Sequence, residues 1–302
     1  MESPRAAEGG RRLEISPAER RDRRLDFRVD TIGQIPLIVA HRGASRDAPE
    51  NTRASFRRAW EQGADAIEGD FRLTRDRRVV CIHDDRTGRT CGAHRIVADS
   101  TLAQLRELDA GGWKGPRWSG ERIPTLDEVL DMLPPGKRLF LEIKSGPELV
   151  SRLKTILRAR QFATERIVVI SFDPGVVETA KRELPEIAAN LLITFVLDSA
   201  AGRWTPSAGE AAAAALRVRA DGVGFQNHAA ADGDFVRTIQ NHGLAAHVWT
   251  VNDVAGALRY ARLGVCSITT DCPGPLREGM SGSRNSAPRL AAEGKPSPDE
   301  ER

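Results

Sequence analysis

Cysteine is scarce and unclustered in this chain of 302 residues. Cys81, Cys91, Cys266 and Cys272 are the whole set, and no pair has CxxC spacing. A thiolate zinc site and a disulfide framework are thereby excluded as organising features, and the four are read as free thiols. Long hydrophobic runs are missing as well. No window approaches the roughly 18 apolar residues of a membrane span, and the first 30 residues are charged where a secretory leader would be apolar. The expectation is a cytoplasmic protein without stable membrane insertion. An excess of one charge is also lacking: 45 Lys and Arg stand against 42 Asp and Glu, a formal +3, which is too little to argue for nucleic acid.

What is present is a 40% hydrophobic content, ample for a packed core. It is unevenly spread. Residues 1–30 carry eight arginines and seven acids with almost no apolar periodicity, so they are expected to form a disordered arm. The near-cancellation of charge there speaks against a nucleic-acid tether. Residues 279–302, rich in Ser, Pro, Gly and charge, are expected to form a loose tail.

Between these ends, short β-branched runs alternate with longer amphipathic stretches. Strands are expected at 37–40, 66–73, 139–143, 167–171, 188–193, 222–225, 245–250 and 266–269. Helices are expected at 52–62, 126–133, 148–160, 174–183, 210–217, 233–241, 254–263 and 273–278. Eight such units over residues 36–278 match a (β/α)8 barrel, with an open doubly wound sheet as the alternative. The interval 79–125 is too long for a βα loop, and its centre, about 86–122, reads as an insert after the second strand. Such an insert must sit on the C-terminal face, where barrel active sites are built.

Polar residues interrupt the strands at chosen places. The first strand runs into His41, Arg42 and Gly43, with Asn51 or Thr52 as N-cap of the helix that follows. In the second strand Glu68 and Asp70 stand at i and i+2, so the two carboxylates share one face. Their mutual repulsion and lost hydration call for a cation, a proton or arginines, and a divalent metal is the simplest remedy. Neutralisation by Arg42 or Arg72 is the alternative. The third strand adds Glu142, with Lys144 on the same face as a point charge for a phosphate oxygen. Three acids form an all-oxygen site that suits Mg2+ or Ca2+, or Mn2+, better than zinc. The apolar run before His83 brings a second imidazole to the same mouth, so His41 and His83 can divide proton transfer between them; the order of their roles stays open.

The segments HRGASRDAPENT, AIEGDFRLTRDRRVVCIHD, LDAGGWKG with IPTLDEVL, LFLEIK and HVWTVND, in this order, resemble the glycerophosphodiester phosphodiesterase family. The resemblance implies a TIM barrel of the phospholipase-C-like phosphodiesterase type and a divalent cation. It also implies cleavage of a small-molecule glycerophosphodiester to sn-glycerol 3-phosphate and an alcohol. It assigns His41 and His83 as the acid and base pair, Glu68, Asp70 and Glu142 as metal ligands, and Arg42 and Lys144 as phosphate contacts. Glu50 falls where the family has a further acid near metal and substrate, Trp249 where an aromatic lines the glycerol pocket, and Asn51 where the turn is supported. Gly69 departs from the family's aliphatic residue between the two acids; it should face outward and cost only packing. A lysophospholipase D-type lipid phosphodiesterase and an inactive phosphate-binding barrel are the alternative functions.

The remaining candidates are plainer. His94, His228 and His242 are expected at the surface, and His247 shares the face of Trp249 as a pocket candidate. Phe172, Trp113 and Trp118 either line the substrate channel or pack the insert onto the barrel.

Overall fold

The computed structural model describes residues 35–285. The arm at 1–30 and the tail beyond 285 lie outside them. Strand β1 (Leu37–Ala40) leads to helix α1 (Arg53–Glu61). Strand β2 (Ala66–Leu73) is followed by β3 (Val79–Cys81), then α2 (Gly88–Cys91), α3 (Leu102–Arg106) and α4 (Leu126–Asp131). Regular alternation resumes with β4 (Arg138–Ile143), α5 (Glu148–Ala159), β5 (Ile167–Ser171), α6 (Pro174–Glu183) and β6 (Ala188–Ile193). A hairpin of β7 (Val196–Asp198) and β8 (Arg203–Thr205) precedes α7 (Ala208–Arg217). The chain then forms β9 (Gly222–Gln226), α8 (Gly233–Asn241), β10 (Ala245–Trp249), α9 (Val254–Arg262), β11 (Ser267–Thr270) and α10 (Pro273–Asn285).

Eight parallel strands pair in the order β1, β11, β10, β9, β6, β5, β4, β2, and β2 returns to β1 to close a barrel. The strand sequences explain the closure. Runs such as LIVA and IVVIS are buried on both faces, as parallel strands between a lumen and a helical layer must be. The helices each carry one apolar stripe; on α5 it is Leu149, Val150, Leu153, Ile156 and Leu157. Thr52, Thr101, Thr125 and Ser207 start their helices with reciprocal capping boxes, each worth about 1 kcal/mol.

Four details differ from the sequence reading. The insert is tied to the barrel by β3, which pairs antiparallel to β2 and turns Val80 and Ile82 into a small core with Val97, Leu105, Leu108 and Ile123. The β7–β8 hairpin was not anticipated, because two three-residue runs are too short to show a period. Helix α10 continues to Asn285, into the stretch expected to be loose, because Leu276 and Met280 sit one turn apart and are both buried. His228 is not a plain surface residue: it is half-buried, stacked on Phe195 at 5.2 Å and edge-on to Trp204 at 4.4 Å. No helix among the described residues is long and apolar enough to cross a membrane.

Candidate active site

The parallel register of β2 and β4 sets Asp70 directly opposite Glu142, with Glu68 two residues earlier opposite Phe140. All three acids face the barrel interior and are buried, and one oxygen of each lies within 4.8 Å of the others. Burial, reinforced by the Asp70 charge, pushes the Glu68 carboxyl up to about 8 and that of Glu142 up to about 7. Burial would raise Asp70 too, but the Arg42 guanidinium and the Lys144 ammonium hold it below the ordinary carboxylate value. Glu68 Oε1 is buried without any hydrogen-bond partner. An orphaned oxygen inside a three-carboxylate cluster fits a hard divalent cation, which takes oxygen ligands and removes the mutual repulsion.

The cluster is held in place from all sides. After His41 the chain turns with Arg42 in the left-handed region at φ 54° and Gly43 at φ 83°, a turn that favours glycine at the second position. It aims the Arg42 N–H at Glu68 Oε2, 2.8 Å away. The Arg42 side chain bonds Glu50 Oε1 at 2.9 Å and pairs with Asp70 Oδ2 at 3.2 Å. Lys144 Nζ lies 2.6 Å from Glu142 Oε1 and 3.4 Å from Asp70 Oδ1. Asn51, also left-handed at φ 56°, is buried beneath the turn; its Nδ2 donates to Asp70 Oδ2 and its Oδ1 accepts the Asp70 backbone N–H. The buried Cys81 thiol donates to the same Oδ1 at 3.1 Å.

Each histidine has a carboxylate behind it. His41 Nδ1 lies 2.7 Å from Asp271 Oδ1, and Asp271 also accepts from Ser45 Oγ and Asn252 Nδ2. His83 Nδ1 lies 2.7 Å from Asp84 Oδ1. Arg89, delivered by α2 of the insert, donates to Asp84 and to both oxygens of Glu50. These contacts direct Nε2 of each ring away from its carboxylate. Burial lowers His41, but the Asp271 hydrogen bond and the Glu68 charge outweigh it and leave His41 above its ordinary value. Burial dominates at His83, which ends below it. Asp84 is lowered to about 2, chiefly by Arg89. Although burial opposes the shift, Asp271 is held well below the usual carboxylate range by His41 and Asn252.

A cavity of about 250 Å³ opens at the C-terminal ends of the strands and is lined by His41, Arg42, Glu68, His83, Glu142 and Lys144. Trp249 and Phe172 face each other edge-on across 5.5 Å on its apolar side, and His247 lies deeper. Glu50 does not line this cavity; the two guanidiniums hold it at the rim, where it borders a small cleft shared with His83. Trp113 and Trp118 are not in the cavity wall either. They belong to a stretch that docks on the β1–α1 loop through Lys114 to the Ser45 carbonyl and Arg117 to the Asp47 carbonyl. Gly69 faces outward as expected, yet the space is not lost: a Cβ there would lie 3.1 Å from Cys81 Sγ and 3.3 Å from Phe56 Cζ. Sequence reasoning missed Asp271, which meets His41 only through the closed barrel, and Asn252 and Arg89, which bond the carboxylates behind the two histidines. Asp84 had a signal in its adjacency to His83.

Residues 41–275 match the model of the glycerophosphoryl diester phosphodiesterase family. The chain belongs to that family. It is 35% identical over 247 residues to the glycerophosphodiester phosphodiesterase of Caldanaerobacter subterraneus subsp. tengcongensis, covering 80% of this chain and 96% of that one. With the Bacillus subtilis glycerophosphodiester phosphodiesterase it shares 31% identity over 253 residues, 78% of this chain and 84% of the relative. An Oleispira antarctica phosphodiesterase, solved with its product sn-glycerol 3-phosphate, superposes with a TM-score of 0.72 at 27% identity, covering 82% of this chain and 97% of that structure. The glycerophosphodiester phosphodiesterase of Agrobacterium tumefaciens superposes at 0.67, again at 27% identity, covering 81% of this chain and all of the other. As in other barrels, the site of this family member sits at the C-terminal face.

Proposed function

We propose that this chain hydrolyses glycerophosphodiesters to sn-glycerol 3-phosphate and an alcohol, using a divalent cation and the two histidines. The observation that carries the reading is the meeting of Glu68, Glu142, His41 and His83 on one cavity, with Asp70 completing the carboxylate cluster. Family membership and the product-bound structural neighbour support the substrate class. Glu68, Asp70 and Glu142 would hold the cation, Mg2+ or Ca2+ or Mn2+. When bound it polarises a phosphoryl oxygen and offsets developing negative charge.

The protein's own groups supply the rest. Arg42 and Lys144 line the cavity as permanent cations, so a phosphodiester anion entering it is drawn to them. Trp249 and Phe172 present apolar faces to the carbon skeleton. His83, lowered by burial, is neutral near pH 7 and suited to take the proton of the attacking oxygen. His41, held above its ordinary value by Asp271 and the Glu68 charge against the effect of burial, is the better placed of the two to give a proton to the departing alkoxide.

Release of sn-glycerol 3-phosphate, followed enzymatically across a set of headgroup esters with added divalent ions, tests the reading. Turnover of glycerophosphocholine or glycerophosphoethanolamine is expected, and no release from any ester would overturn it. A lipid-directed variant of the reading is favoured by one feature, the exposed Val196, Leu197 and Trp204 on the β7–β8 hairpin. Matched choline esters with and without an acyl chain separate the two: faster cleavage of the acylated ester would select the lipid substrate.

A further inference from the structure

The lumen of a (β/α)8 barrel is ordinarily filled by layers of branched aliphatic side chains. Here part of that filling is present, through Val39, Phe140, Val168, Ile170 and Leu192. Polar side chains stand among the aliphatics in the cavity lining, Asn190 on β6, His247 on β10, and Ser267 and Thr269 on β11, while Gly224 on β9 leaves its place to Leu192, whose Cδ2 would lie 2.6 Å from a Cβ there. The cavity lining therefore mixes these polar groups with Phe140, Ile170 and Leu192.

These polar side chains are not equally satisfied. His247 Nδ1 lies 2.8 Å from Ser267 Oγ, and the ring is neutral because burial lowers it to about 4. Asn190 is different. It is 2% exposed, it lines the cavity, and its Oδ1 is buried with no hydrogen-bond partner. Trp249 Nε1, at the upper part of the same wall, is also buried without an acceptor. A buried amide left unsatisfied loses its hydration without compensation, so a side chain of this kind among aliphatics calls for a partner within the cavity. Asn190 is held in register between Ile170 on β5 and Gly222 on β9, which fixes its backbone on rigid strands.

We propose that Asn190 is a specificity-determining residue for the buried end of the substrate: its amide hydrogen-bonds a hydroxyl of the glycerol moiety. The assignment rests on the phosphodiesterase reading above and adds to it the group that selects a polyol. A hydroxyl both donates and accepts, so it matches the amide in either orientation of its oxygen and nitrogen. Around it, Ile170 and Leu192 take up the carbon skeleton.

The test compares kcat/KM for a chromogenic glycerophosphodiester with analogues in which the glycerol is replaced by propane-1,2-diol or propane-1,3-diol. In the wild type the loss of the recognised hydroxyl should lower kcat/KM on the order of ten- to a hundredfold, because the amide is then stranded. Asn190→Leu should bring the ratio towards one while the diol ester is still cleaved, and Asn190→Asp should preserve the discrimination. A purely structural role, or an amide satisfied by a fixed water, would depress all substrates together and leave the ratio unchanged; that result overturns the proposal. Should Asn190→Leu fail to fold, the same ratio in Asn190→Ala decides. A wild-type protein that cleaves none of the esters would instead remove the phosphodiesterase reading itself, an outcome distinct from cleavage without discrimination.

Discussion

Asn51 grips Asp70 twice: Nδ2 donates to the carboxylate at 2.7 Å, and Oδ1 accepts the Asp70 backbone N–H at 3.1 Å. The two residues lie on different elements, so this pair fastens the turn after β1 to the middle of β2. It also fixes the orientation of one carboxylate in the cluster proposed to bind metal.

The first prediction follows from that grip. Asn51→Gly keeps the left-handed backbone available but removes both hydrogen bonds. Affinity for the divalent ion, measured by calorimetric titration, should fall roughly 10- to 100-fold, as for other groups that orient a metal ligand. Undiminished affinity would show that Asp70 is positioned without Asn51.

His83→Ala should reduce turnover on the order of 10^2- to 10^4-fold while leaving metal binding intact, since the ring is proposed to move a proton and not to hold the ion. Turnover at the wild-type rate would take His83 out of the mechanism.

Asp271→Asn addresses the other histidine. Asp271 raises His41, so its loss should lower the His41 value, and a group that acts in its protonated form then fails at lower pH. The alkaline limb of the kcat/KM profile should shift to lower pH while the acid limb, assigned to His83, stays in place. Movement of the acid limb instead would exchange the two roles, and an unmoved profile would detach His41 from catalysis.

These residues divide according to how visible they are in the chain. Glu68, Asp70 and Glu142 were legible because charge inside a buried strand contradicts its own surroundings, and period-2 geometry alone puts the first two on one face. His41 and His83 were legible because each terminates an apolar run. The eight barrel strands were legible for the same reason, as β-branched runs of the right length. Asp271, Asn252 and Arg89 carry no such local contradiction: each is an ordinary loop or helix residue until barrel closure or the folded insert brings it to a histidine, as for Asp271, or to the carboxylate behind one, as for Asn252 and Arg89. Asn190 had a faint signal, an amide between the apolar residues of β6, but its meaning depends on the cavity that barrel closure places beside it.

Gly69 shows the same limit from the packing side. The space beside it is taken up by Phe56, Phe71 and Cys81, so Gly69→Val should overpack the interface between β2, α1 and β3. A loss of about 1–3 kcal/mol in urea unfolding is expected. A more stable variant would show that the neighbours move aside easily.

The central claim is that three buried carboxylates depend on a shared divalent ion and that hydrolysis depends on them. It is tested most directly by following sn-glycerol 3-phosphate release from glycerophosphocholine after exhaustive chelation, and then during stepwise return of Mg2+, Ca2+ or Mn2+. The account predicts that activity disappears with the ion and returns with at least one of the three, but not in Glu68→Gln. Full activity in the metal-stripped protein would contradict it.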